Sequence, residues 1–189
     1  MTTVNAEPEN LLASHLTAGE RLLWSGRPRQ GVLLRPSDAF FIPFSLLWGG
    51  FVIFWEYSVL SMGKAPLFFA LWGIPFVVIG LYFIAGRFLV DARQRVNAVY
   101  GVTNQRILIV SGLFTRKVKS LNLRTLSDIS LDERRNGMGT VSFGPTNPFG
   151  WWGGGMAWPG MPTGSPAFEL IPNARSVYEI VRKAQAGAS

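Results

Sequence analysis

The chain has no cysteine and a single histidine, His15, among its 189 residues. The first absence removes disulfides, thiolate zinc sites and cysteine nucleophiles; the second removes any cluster of histidine ligands. Charge is scarce too, at 15% of residues, and it leans one way: 18 Lys and Arg stand against 11 Asp and Glu, a net +7. No phosphate-binding Gly-x-x-x-x-Gly-Lys loop, no Gly-x-Ser-x-Gly elbow and no carboxylate pair of catalytic spacing occurs. The expectation is a non-enzymatic protein without catalytic residues, cofactor or metal.

What is abundant is apolar surface: 48% of residues are hydrophobic, with 14 Phe and 7 Trp, which rules out ordinary intrinsic disorder. Residues 39–55 carry no charge, and the run continues through Glu56 and Tyr57 to Leu60. Residues 67–86 form a second charge-free run. Each has about 20 residues, enough as a helix to cross the ~30 Å hydrocarbon core of a bilayer. Only residues 61–66 separate them, so the spacing predicts an antiparallel transmembrane hairpin. Arg27, Arg29 and Arg35 precede it and Arg87, Arg93 and Arg95 follow it, against Lys64 alone in the connection, which predicts that both termini are cytoplasmic. Within this frame Arg87 is expected to snorkel to the inner interface, Glu56 to lie near the outer one, and His15 to be exposed on an N-terminal helix.

After Val90 the period shortens to about two, the mark of half-buried strands. Strands are expected over residues 96–102, 106–110, 114–123, 126–131, 140–143 and 167–171, with turn chemistry at Thr103, Asn104 and Gly112. A C-terminal helix should follow, with Asn173 as N-cap and Ala174, Val177, Ile180, Val181 and Ala184 on one face. The organisation is thus a cytoplasmic N-terminal segment with a short helix and strand over 1–36, a hairpin over 37–90 and a cytoplasmic β domain over 91–187.

The stretch Tyr100-Gly101-Val102-Thr103-Asn104-Gln105-Arg106-Ile107, then Gly112, residues 121–129, and the pair Gly137 and Gly139 resemble the bacterial pleckstrin-homology-like (PH-like) domain. The N-terminal Gly19-Glu20-Arg21-Leu22-Leu23-Trp24-Ser25-Gly26-Arg27-Pro28 is similar to a segment that precedes such domains in members with a two-span hairpin. The resemblance implies an α+β membrane protein: a transmembrane α-helical hairpin plus a PH-like antiparallel β-barrel or sandwich capped by a C-terminal helix, in the bacterial inner membrane. Within the Tyr-x-x-Thr-Asn-x-Arg turn, Asn104 suits the bend, Tyr100 and Ile107 can pack across the hairpin, and Arg106 can reach backbone or acidic partners.

Residues 145–166 depart from that pattern, with Trp151, Trp152 and Trp158 set among glycines and prolines that sustain neither strand nor helix. The tryptophans fit an aromatic wedge entering headgroups or docking on a partner, and equally a loop folded over the protein's own apolar surface. Arg116, Lys117 and Lys119, with Arg134 and Arg135, form either a patch for anionic headgroups or a solvated face. The partners expected are the lipid bilayer, a membrane-associated protein and a second copy of the chain. Nucleic acid is not among them, because the basic residues largely flank the spans. Two roles fit: a scaffold or sensor of the membrane surface, and an accessory subunit of a larger membrane enzyme or transporter.

Overall fold

The computed structural model describes residues 8–34, 38–63, 67–113, 115–145 and 165–188. Among them the chain forms two compact units: one from the chain up to Gly31 together with the chain from Ala92 onward, the other from Val32–Asp91.

The second unit is a helical hairpin. Helix α2 (Asp38–Ser61) and α3 (Leu67–Leu81) pack against each other. The helical path of α3 continues through a π turn at Tyr82–Gly86 into α4 (Arg87–Val96). Both helices are long and apolar enough to cross a membrane, and they bury only 28% and 12% of their most apolar windows. A core helix of a soluble protein would be mostly covered. Here Leu47, Phe54, Phe68 and Val78 instead stand outward and exposed. Close approach of the two helices depends on glycine, since a Cβ on Gly80 would sit 3.3 Å from the Gly49 Cα and one on Gly49 would meet the Ile84 side chain at 2.6 Å. Ser45, Ser58 and Ser61 return their hydroxyls to carbonyls one turn back, so they expose no unpaired donor on these apolar helices.

The first unit is a pair of antiparallel sheets. One has the order β1-β2-β3-β4, from β1 (Leu22–Gly26), β2 (Val99–Thr103), β3 (Arg106–Ser111) and β4 (Lys117–Asn122). The other has the order β5-β6-β7, from β5 (Ile129–Glu133), β6 (Gly139–Phe143) and β7 (Ala167–Ile171). The expected α+β class holds, with the two sheets left as an unclosed sandwich rather than a barrel. Between them Tyr100, Val102, Ile107 and Ile109 meet Val141, Phe143, Phe168 and Ile171. Phe168 is the hub, its ring 4.9 Å from those of both Tyr100 and Phe143. Burying such a side chain contributes about 1.5–3 kcal/mol. Helix α5 (Ala174–Ala188) adds Val177, Val181 and Ala184 to this core.

The other face of the four-stranded sheet is covered as well. Leu12 of α1 (Pro8–Ala13), fully buried, joins Val99, Leu108 and Val110 in a second apolar cluster. Burial on both faces explains why Ile107–Val110 reads as an unbroken apolar run instead of an alternation.

Several boundaries differ from expectation for local reasons. β2 starts at Val99 because α4 runs to Val96. β4 starts at Lys117, after the turn, with Phe114 outside the described residues. β5 starts at Ile129 because Asn122 Oδ1 accepts from the Arg124 N–H and starts a 3₁₀ turn at Leu123–Thr125. Asn173 takes a left-handed φ of 50° rather than the extended conformation of an ordinary N-cap, and it is its carbonyl that accepts from Val177.

Candidate functional site

Three side-chain arrangements stand out. At the turn between β2 and β3, Arg106 Nε donates to Glu20 Oε1 and Arg106 Nη2 to Glu20 Oε2, both at 2.9 Å. Glu20 also accepts from the Thr17 N–H and hydroxyl and from Thr103 Oγ1 at 2.8 Å. Arg106 Nη2 reaches the His15 carbonyl, and Asn104 Oδ1 accepts from the Arg21 N–H. The Arg106 guanidinium beside it lowers the Glu20 pKa from 4.5 to about 2, against an opposing push from burial, and Glu20 in turn raises that of Arg106. The two sequence motifs are therefore halves of one hydrogen-bonded latch. His15 lies half-buried just after α1, not exposed on it.

The second arrangement joins the segments on either side of the hairpin. Arg27 Nη1 donates to the Val96 carbonyl, Gln30 Nε2 to the Arg95 carbonyl, and Arg95 Nη2 to the Gly31 carbonyl at 2.8 Å. The end carbonyls of α4 thus receive side-chain donors, as a helix C-terminus requires. The Arg29 N–H bonds the carbonyl of Leu170, which holds a left-handed φ of 48° at the irregularity in β7.

Within the hairpin unit, Arg87 is buried and pairs with Asp38 at 2.9 Å, its guanidinium 4.4 Å from the Phe88 ring centroid. This corrects the expectation that Arg87 snorkels into water: the N-terminal carboxylate of α2 offers a nearer partner. Glu56 is half-buried against Gly73, and its Oε2 has no hydrogen-bond partner among the described residues.

Of the expected contact residues, Arg116, Lys117 and Lys119 lie together, exposed, on and just ahead of edge strand β4. Arg134 and Arg135 fall instead on the turn between β5 and β6, in the other sheet. Trp151, Trp152 and Trp158 lie outside the described residues. The segment that carries them leaves the fold at Pro145 and returns at Ser165, where the Ser165 hydroxyl donates to the Pro145 carbonyl. Among the described residues no group of three His, Asp or Glu side chains could hold a metal ion.

The bacterial PH domain family matches residues 44–185, from inside α2 to near the end of α5. The chain belongs to the bacterial PH domain family. No curated protein and no solved structure matches it. In this PH domain the strand that opens the first sheet precedes the hairpin in sequence, and all the other strands follow it. The Asp38–Arg87 and Glu20–Arg106 pairs were missed from sequence because each joins residues far apart in the chain. The one available signal was the isolation of Asp38 and Glu20 as acids at the edges of apolar segments.

Proposed function

We propose that the protein is a non-enzymatic tether of the bacterial inner membrane, in which the hairpin spans the bilayer with both termini cytoplasmic. The PH domain then scaffolds membrane-associated protein partners or senses the bilayer surface. The observation that carries this reading is the pairing of β1 with β2, Gly26 opposite Tyr100 and Ser25 opposite Gly101. Strands from either side of the hairpin share one sheet, so both feet of the hairpin leave the bilayer on the same face. Arg27, Arg29, Arg35, Arg93 and Arg95 beside those feet, against Lys64 in the far turn, favour the cytoplasmic face. Tethering raises the effective concentration of the domain for any partner near the membrane. In this reading Trp151, Trp152 and Trp158, and the basic Arg116, Lys117 and Lys119, are the surfaces that meet lipid or partner.

Because the chain lacks cysteine, single introduced thiols report topology directly. In intact cells, a membrane-impermeant maleimide is expected to label Met62→Cys and to reach Ala186→Cys only after lysis. Labelling of Ala186→Cys in intact cells would sink the orientation. The exposed apolar faces of α2 and α3 also suit a subunit role in a larger membrane assembly. Stoichiometric co-purification with one larger protein in mild detergent would favour that second reading, and a monodisperse assembly of this chain alone would count against it.

A further inference from the structure

We propose that the end of the four-stranded sheet around the β3–β4 turn is a contact site for anionic phospholipid headgroups of the bilayer that the hairpin spans. The inference rests on the reading of α2 and α3 as spans. It follows from strand register. Gly26 lies opposite Tyr100, Tyr100 opposite Ile109 and Ile109 opposite Lys119, one row across the sheet. Toward the same end, Val99 faces Val110, Val110 faces Val118 and Ser111 faces Lys117. The links to the hairpin leave from this end too, because β1 finishes at Gly26 and β2 begins at Val99. The opposite end carries Leu22, Thr103, Arg106 and Asn122. Arg116 and Lys117 are therefore at the end of the sheet nearest the chain's entry into the bilayer, with Lys119 two residues behind on the same side of the strand.

The turn is held there. Asn97, in the link between α4 and β2, donates from Nδ2 to the Gly112 carbonyl at 3.2 Å. Gly112 has φ 145°, and a Cβ on it would collide with the Thr115 carbonyl, so this tight bend admits no other residue without rearrangement. The end is also basic: Arg27, Arg29, Arg93, Arg116 and Lys117 cluster in the links and turn, with Asp91 as the one acid nearby in sequence. Lysines on an edge strand also discourage pairing with another sheet, but Arg116 lies ahead of the strand and has no such use. Each basic group near an anionic surface is worth about a fivefold gain in association.

The test uses the full chain in vesicles, with one fluorophore on an introduced cysteine and spin-labelled lipids as quenchers. A label at Thr115→Cys, exposed in the turn, is expected to be quenched by headgroup spin labels in phosphatidylglycerol–phosphatidylcholine vesicles. The effect should fall by at least about fivefold in pure phosphatidylcholine, in high salt, or with Arg116→Glu and Lys117→Glu combined. A label at Gln105→Cys, exposed at the opposite end, should stay unquenched. Phe54→Cys, labelled and quenched by acyl-chain spin labels, reports insertion separately. Insertion with no quenching at Thr115, or with equal quenching in both vesicle types, overturns the headgroup site alone. Absence of insertion overturns the spanning reading and the site with it.

Discussion

Arg106 and Glu20 set the residue-scale energetics of the domain. The Glu20 side chain is fully buried and that of Arg106 is 27% exposed, so the pair is shielded on the carboxylate side and partly wet on the other. Arg106→Leu would leave a buried carboxylate without its guanidinium, and a loss of about 3 kcal/mol is expected in urea unfolding of the detergent-solubilised protein. The pH dependence has a definite sign. A folded-state pKa lowered from 4.5 to about 2 means that the latch contributes fully above pH 4.5 and is lost as pH falls toward 2. Through that window the wild-type chain should lose about 3 kcal/mol that Glu20→Gln does not, because the glutamine variant has nothing to titrate there. Asp38→Leu makes the matching test in the hairpin. It strips Arg87 of its carboxylate in an apolar setting, and the midpoint of thermal unfolding should drop by the equivalent of about 3 kcal/mol.

At the scale of elements, two contacts decide whether secondary structure persists. Helix α1 has six residues, far too few to be stable alone, and it is held by Leu12 inserted over Gly101 and Leu108. Leu12→Ala should cost about 2–5 kcal/mol and release α1, seen as faster amide exchange confined to the N-terminal segment and β1. The hairpin depends on the Gly49–Gly80 crossing in the same way. Gly80→Leu forces the helices apart by the width of a side chain, so cross-linking between cysteines placed on the facing sides of α2 and α3 should fall sharply while helix content stays constant. The π turn at Tyr82–Gly86 belongs to this scale as well. One extra residue in a turn rotates the following face by about 100°, so α4 does not continue the apolar stripe of α3.

For the whole molecule, connectivity matters more than any single contact. A sheet whose first strand is separated from the rest by two spans cannot be completed until the hairpin has been made and both flanks lie together. Deletion of residues 32–91 with a short flexible linker should therefore preserve the sheet pairing, since Arg27, Gln30 and Arg95 already bring the two cut ends side by side. The check is whether the linked domain retains a cooperative unfolding transition; a molten species would show that the sheet needs the hairpin.

The sequence alone determined the two apolar helices, the β texture of the remainder, the C-terminal helix and the family resemblance. Those properties are written in local composition and in periods of two and 3.6 residues, which a short window contains. It also placed Asn104 at the bend and gave Arg106 an acidic or backbone partner without naming it. Only the tertiary structure decided that the partner is Glu20, 86 positions away, that Asp38 neutralises Arg87, and that β1 lies beside β2. It also decided that Lys117 stands at the end of the sheet from which the hairpin departs. Each of these is set by which distant segments share a row of hydrogen bonds or one desolvated space. A sequence window cannot contain that information, because many pairings satisfy the same local pattern and only the packed chain selects one.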